Sequence, residues 1–281
     1  MTLANLRDVL TPCLTDGTAV AGMVVLGWED AQAYVRAAEV LGRPVILQAG
    51  PGCRAHTPLP VLGAMFRTLA EGACVPVVAH LDHGESLRVC QAAYDCGFTS
   101  VMFDGSALPL QENIERTAEI VQWAHARGLS VEAELGFVGY QGGAQSQGTD
   151  PGEVARFARE SGADALAVAV GNCHLMTSPH AAIDLGRLTA IQSAAPGLPL
   201  VLHGGSGIGT PTRQLLASKT HICKMNIGTE LRMAFGAALR SVLASDPALF
   251  DRNKILEATT APMIAAARQA IKTLCQAGRD L

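Results

Sequence analysis

Short apolar runs, rich in Val, Ile, Leu and Ala, recur along this chain between longer stretches whose apolar positions fall three and four apart. The runs are Ala19 to Leu26, Pro44 to Ala49, Pro76 to Leu81, Ser100 to Phe103, Leu129 to Glu134, Ala165 to Val170, Leu198 to His203 and His221 to Ile227. A run that is apolar on both parities leaves no face for water, which predicts strands buried on both sides in a parallel sheet. The stretches between them read as amphipathic helices. Glu112 to Arg127 sets Ile114, Ala118, Val121 and Ala124 at helical spacing, and Pro151 to Ser161 opens with Asp150 as N-cap and a proline in the first turn. Eight such alternations predict an α/β fold of the closed (β/α)8 TIM barrel type, one domain over residues 1–281. A C-terminal helical extension, Asn253 to Gln276, is expected to pack outside the barrel or against a neighbouring subunit. Gly136 to Gly148, with glycines at 136, 139, 142, 143 and 148, predicts a mobile loop able to close over a site.

Composition narrows the class of function. Hydrophobic residues make up 49% and charged residues 16%, and a net charge of −4 is spread without acidic or basic runs. That predicts no nucleic-acid partner and no membrane association. The N-terminus has no basic start followed by an apolar core, so a cytoplasmic location is expected. Eight cysteines are scattered without a CxxC pair, which suits small buried hydrophobes better than disulfides or a thiolate zinc site.

Barrel active sites sit where strands end and loops begin, so those positions are the ones to inspect. The third run ends in Asp82-His83, the fourth in Asp104-Gly105-Ser106, and the fifth in Glu132-Ala133-Glu134. Gly171-Asn172-Cys173-His174 follows the sixth, His203-Gly204-Gly205-Ser206-Gly207 ends the seventh, and Asn226-Ile227-Gly228-Thr229 ends the eighth. Three histidines on separate strand ends, His83, His174 and His203, suit one catalytic divalent ion, most simply Zn2+, with a position left open for substrate. His80 shares parity with Asp82 and points into the barrel, where it could orient a ligand.

Asp82 stands beside a ligand without sharing its direction, which fits proton exchange with substrate better than metal binding. Asp104 and Glu134 fit either partners of the ligands or a second cation site. Glu132 reads equally well as a hydrogen-bonded strand residue. Gly204, Gly205 and Ser206, with Asn226, Ile227, Gly228 and Thr229, fall where many barrels bind phosphate on backbone N–H groups.

The motifs HLDHGES, DGS, EAELG, TDP, AVAVGNCH, LVLHGGSG and KMNIGTEL, in this order, resemble the class II, metal-dependent ketose-bisphosphate aldolases, and within them the tagatose- and fructose-bisphosphate aldolases. The likeness spans Leu3 to Arg279. It implies a zinc-dependent carbon–carbon lyase that forms an enediolate of dihydroxyacetone phosphate and an aldehyde. It carries zinc ligation to His83, His174 and His203, acid/base catalysis to Asp82, an alternative metal site to Asp104 and Glu134, and binding of dihydroxyacetone phosphate to Gly204, Gly205, Ser206, Asn226, Ile227, Gly228 and Thr229. A sugar or sugar phosphate is the expected partner, in a homodimer or homotetramer.

Two departures bear on substrate. Where the family has Ala-Phe-Asn on the first strand, this chain reads Gly22-Met23-Val24-Val25. The glycine after the strand-six histidine is Leu175, and no lysine follows in that loop. The metal chemistry is therefore expected intact and phosphate recognition weakened, unless an arginine such as Arg252 or Arg279 from a neighbouring subunit replaces the lysine. Use of an atypical or unphosphorylated ketose, epimerisation or isomerisation through the same enediolate, and a non-catalytic binding subunit are the alternatives.

Overall fold

Strand β2 (Val20–Val24) pairs in parallel with β3 (Val45–Ala49) on one side and with β9 (Ile222–Ile227) on the other, and this double pairing closes the sheet. Between them run β4 (Val77–Gly84), β5 (Ser100–Phe103), β6 (Ser130–Leu135), β7 (Ala165–Val168) and β8 (Leu200–Leu202), each parallel to its neighbours. The structure is a computed structural model and describes residues 2–275. Its eight strands are the eight predicted runs. An additional short strand that the sequence pattern did not signal, β1 (Leu3–Ala4), pairs with the start of β4.

Side chains alternate across a strand, so each strand feeds two cores. The outward set packs under the surrounding helices in one large cluster that includes Met23, Leu47, Leu81, Phe103, Leu166 and Ile227. The inward set begins with Val20, Ile46, Val78, Ala165, Ala167, Val201 and Cys223, closed from below by Leu6, Val9 and Leu10 of the helix Leu6–Leu10. Above this apolar floor the barrel interior turns polar, with Gln48, His80, Ser100, Glu132 and Lys224 all buried.

One expectation needs correcting. The segment predicted as one C-terminal helix is two, Arg252–Glu257 and Thr260–Lys272, broken at a buried Thr259 whose hydroxyl donates to Leu256 O at 2.6 Å. The second helix buries Met263, Ala267, Ala270 and Ile271 and packs on the helices Trp28–Leu41 and Thr229–Ser245 of its own chain. Its predicted last residue, Gln276, lies outside the described residues.

The glycine-rich stretch 136–148 is a hydrogen-bonded hairpin, with Phe137 and Gln147 exchanging backbone bonds at 2.8 and 2.7 Å. Among the described residues, no helix is long and apolar enough to cross a membrane.

Candidate active site

At the carboxyl ends of the strands opens a cavity of about 470 Å³, lined in part by Asp82, His83, His174, Gly204, Ser206 and Asn226. The geometry starts with a break in β4. Leu81 pairs with Val101 and Gly84 with Phe103, so β4 carries one residue more than β5 between the two pairings. Such a bulge re-aims side chains. His83 takes φ 49 there, a left-handed conformation unusual for a residue with a Cβ. Asp82 and His83 consequently face the same cavity, which the strict alternation assumed from sequence would forbid.

Arg54 captures the carbonyls near this break. Its Nη1 donates to Ala49 O at 2.8 Å and Asp82 O at 2.5 Å, and its Nη2 donates to His83 O at 3.0 Å. A planar guanidinium matches several acceptors at once, so one side chain ties the ends of β3 and β4 together.

The three predicted histidines converge. Their ligating nitrogens lie within 4.8 Å of one another, with ring centroids 4.7 Å apart for His83 and His203 and 5.5 Å for the other two pairs. Each ring is held from behind. Asp104 Oδ2 meets His83 Nδ1 at 2.7 Å, while its other oxygen accepts from Ser106 N and Oγ at 3.1 and 2.6 Å. Glu132 Oε1 lies 3.1 Å from His203 Nε2, which leaves His203 Nδ1 buried without a partner. Tyr140 stacks on His174 at 4.8 Å and 24°, and the backbone of His174 is bonded to Gly139 and Gln141 of the hairpin.

Electrostatics match that geometry. Burial, aided by the nearby His83, lowers the His174 imidazole to about 4 and sends His203 well below its ordinary range, so both are neutral donors. Burial opposes charge on His83 as well, but Asp82, Asp104 and Glu134 outweigh it and push its pKa up to about 9. Burial, with Asp104 adding, raises Glu134 to about 8. Asp104 goes the other way despite its burial, held below the carboxylate range by His83 and Ser106.

The residues fit a divalent cation on three counts: converging nitrogens, an orphaned His203 Nδ1, and an orphaned Glu134 Oε2 that lies 3.5 Å from it. His83, Asp104 and Glu134 form a second group close enough to share an ion.

Of the predicted substrate-binding residues, Gly204, Ser206, Asn226, Gly228 and Thr229 line the cavity. Ile227 instead turns its side chain into the outer core, and Gly205 is buried beneath the wall. Gly204 is required: at φ 67 a Cβ there would sit 2.1 Å from Cys173 O. Asn226 donates to Asp82 Oδ1 at 3.3 Å. Gly22, the departure on the first strand, makes room for the amides of Gln48 and Asn226, since a Cβ would meet Gln48 Oε1 at 1.8 Å. Leu175 sits at φ 60, the conformation that favours the family's glycine, at a strain of about 1–2 kcal/mol.

The chain matches the family model described as fructose-bisphosphate aldolase class-II over residues 4–279. It belongs to the class-II fructose-bisphosphate aldolase family. This class-II aldolase is 39% identical over 264 residues to the fructose-bisphosphate aldolase of Geobacillus stearothermophilus, covering 91% of each chain. It is 37% identical to the 6-phospho-5-dehydro-2-deoxy-D-gluconate aldolase of Shouchella clausii, covering 97% of this chain and 94% of that one. Among solved structures it matches the YdjI aldolase of Escherichia coli K12 with TM-score 0.87 and 32% identity over 99% of both chains. As an aldolase it is a carbon–carbon lyase, and the family is metal-dependent.

Residues outside the predicted set complete the site. Lys224 reaches Glu132 Oε2 at 2.6 Å and His80 Nε2 at 3.3 Å, and Asn172 ties the ends of β7 and β8 by donating to Val168 O and His203 O at 3.2 and 3.1 Å. Arg232 enters the cavity wall from the helix Thr229–Ser245. Arg252 lines an adjoining groove that shares Leu26 and Arg232 with the cavity, and Arg279 lies outside the described residues.

Proposed function

We propose that the protein is a divalent-metal aldolase, zinc being the simplest ion, that cleaves a ketose phosphate to dihydroxyacetone phosphate and an aldehyde, or joins them. The observation that carries this is the convergence of His83, His174 and His203 beside Asp82 in one cavity of a class-II aldolase barrel. A divalent ion held by the three imidazoles would act as a Lewis acid, offsetting the charge left on carbon when the bond breaks. Asp104 fixes His83, and Glu132 fixes His203, in the tautomers that present their free nitrogens to the ion.

Asp82 performs the proton transfer in this reading. In cleavage its carboxylate takes the proton of the hydroxyl on the carbon that becomes the aldehyde, and the electron pair of the broken bond passes to the carbon beside the ketone. Asn226 Nδ2 holds Oδ1 of that carboxylate and leaves Oδ2 for substrate, with Gly50 close beside it. Gly204, Ser206, Gly228 and Thr229 cradle the phosphate. The hairpin 136–148 reaches the metal ligands through Tyr140 and can exclude water from the cavity.

The family spans more than one substrate. One relative is named for a bisphosphate sugar and another for a sugar with a single phospho group. The whole barrel works as one unit in this reading, in the cytoplasm and as a homo-oligomer. The test is a panel of ketoses, ketose 1-phosphates and bisphosphates incubated with zinc-loaded protein, scored for dihydroxyacetone phosphate, dihydroxyacetone and free aldehyde. Release of any of these fragments supports cleavage. A new ketose without an aldehyde would mean epimerisation or isomerisation instead.

A further inference from the structure

We infer that Tyr140 is a second catalytic residue, the acid that gives a proton to the carbon left with the electron pair when the carbon–carbon bond breaks. This rests on the aldolase reading and fills the proton step that Asp82 leaves open. Cleavage moves two protons: Asp82 takes one from the hydroxyl of the future aldehyde, and the carbon beside the ketone must gain another.

Tyr140 sits at the tip of the hairpin 136–148, where its N–H donates to Ala144 O and its carbonyl accepts from Gly143 N, both at 2.9 Å. The residues on either side are fastened to His174: Gly139 O accepts from His174 N at 2.8 Å, and Gln141 N donates to His174 O at 2.9 Å. With the backbone held on both sides, the phenol ring lies on the imidazole at 4.8 Å and 24°, in the wall of the cavity that contains Asp82. Burial, with Asp104, Glu134 and Asp82 adding, raises the pKa of the phenol, so its oxygen is turned toward the carboxylates around the histidine cluster. A flap that only excludes water has no use for a hydroxyl there.

The rest of the lining offers no equal. Between Gly136 and Gly148 the one ionisable side chain is Tyr140. Elsewhere in the cavity wall His83 and His174 belong to the ligand set, and Cys53 is 2% exposed. Ser206 Oγ is taken up by the N–H groups of Gly228 and Glu230 at 3.4 and 3.2 Å. A guanidinium does not release its proton, and a phenol is a far stronger acid than an alkyl hydroxyl.

In the step itself the O–H bond of Tyr140 breaks and a C–H bond forms at the enediolate carbon, restoring the double bond of the ketone. The electron pair of the O–H bond stays on the phenol oxygen. Asp82 has gained a proton as Tyr140 loses one, so the reaction is neutral overall. The side chain is 43% exposed, which lets solvent water reprotonate it between turnovers.

The test compares the full zinc-loaded parent with Tyr140→Phe, which keeps the ring on His174 and removes the hydroxyl. Deuterium exchange from solvent into dihydroxyacetone phosphate, and into dihydroxyacetone, should fall by about 10²- to 10⁴-fold. Zinc content and calorimetric affinity for dihydroxyacetone phosphate should stay at the parent level. With a cleavable ketose phosphate, aldehyde should appear as a burst equal to the enzyme, followed by slow turnover, because the bond still breaks while protonation lags. Exchange within a few-fold of the parent would overturn the assignment and leave both protons to Asp82. Exchange lost only in step with zinc or with dihydroxyacetone phosphate affinity would also overturn it, as the result of a displaced hairpin. A parent that neither cleaves a ketose nor exchanges the proton would overturn the aldolase reading itself, and this assignment with it.

Discussion

Lys224 Nζ lies 2.6 Å from Glu132 Oε2, and neither side chain reaches solvent. The other Glu132 oxygen holds His203 Nε2, and the ammonium also touches His80, whose Nδ1 meets Ser100 Oγ at 2.7 Å. The polar layer beneath the cavity is therefore one connected network, anchored by an ion pair and ending on a residue of the histidine cluster. Removing two charges from water is costly, and leaving one of them alone costs more than removing both.

Lys224→Met should accordingly destabilise the metal-free protein by about 3–5 kcal/mol, since it strands the Glu132 carboxylate in the barrel. The double variant Lys224→Met, Glu132→Gln should regain a substantial part of that. Urea unfolding in the presence of a chelator measures both, and losses that simply add would show that the two groups are not coupled.

The same pair bears on mechanism. A Schiff-base aldolase needs an unprotonated lysine amine facing its substrate, but Lys224 is salt-bridged below the cavity and Lys219, Lys254 and Lys272 are not in its lining. Borohydride added during turnover should leave the protein mass unchanged. A reduced adduct mapped to Lys224 by peptide mass spectrometry would overturn the metal reading.

The eight barrel strands were legible as short runs rich in apolar residues, the pattern of doubly covered strands, although Ser130, Glu132 and Glu134 in β6 and Lys224 and Asn226 in β9 make the inward parity polar. The histidines were legible because each follows or ends such a run. What escaped was long-range geometry. Alternation along β4 would have separated Asp82 from His83, and a one-residue bulge fixed only by pairing with β5 leaves no local sequence sign. Lys224 did carry a sign: it shares inward parity with Asn226 in Ile222–Ile227, and a lysine inside a barrel requires a carboxylate at matching depth, which Glu132 supplies. Arg54 and Arg232 reach their places from helices whose rotation about the barrel no single element encodes. That the stretch 136–148 folds as a hairpin bonded to His174 was not legible, because glycine content reports permitted conformations, not the long-range bonds that select one.

Arg54 acts through the backbone of β4, so its loss should reach the site indirectly. Arg54→Met should lower kcat by about tenfold or more and weaken metal binding, because the carbonyls of Asp82 and His83 lose charge-assisted bonds. Cobalt-substituted protein should show a changed visible spectrum, and guanidinium ion in the buffer should restore part of the activity. An unaltered cobalt spectrum would place Arg54 outside the support of the metal site.

His203→Ala should remove bound metal and activity together, since two imidazoles hold a divalent ion poorly. In the parent protein, a chelator should abolish activity and zinc should restore it. Loading should also depend on pH: without metal, the carboxylates around His83 push its pKa up to about 9, so below that pH the ion must displace a proton. Apparent affinity should therefore fall by about tenfold per pH unit on acidification through neutral pH. Equilibrium dialysis with atomic absorption reads this directly, and full zinc occupancy in His203→Ala would remove that residue from the ligand set.

Asp82→Asn is the sharpest test of the proton transfer, because it preserves size while removing the carboxylate. Asp82 Oδ1 is held by Asn226 and Asp82 belongs to neither group of side chains close enough to share an ion, so metal content should stay at the parent level. Turnover should fall by about 10²- to 10⁴-fold, the usual contribution of a positioned acid or base. The split between steps is informative. Cleavage needs the hydroxyl proton removed before the carbon–carbon bond can break, whereas exchange of the carbon-bound proton of dihydroxyacetone phosphate with solvent does not involve that hydroxyl. Exchange measured by deuterium incorporation should thus survive in Asp82→Asn far better than cleavage does. Equal loss of both would assign Asp82 to building the site as a whole instead of to the hydroxyl proton.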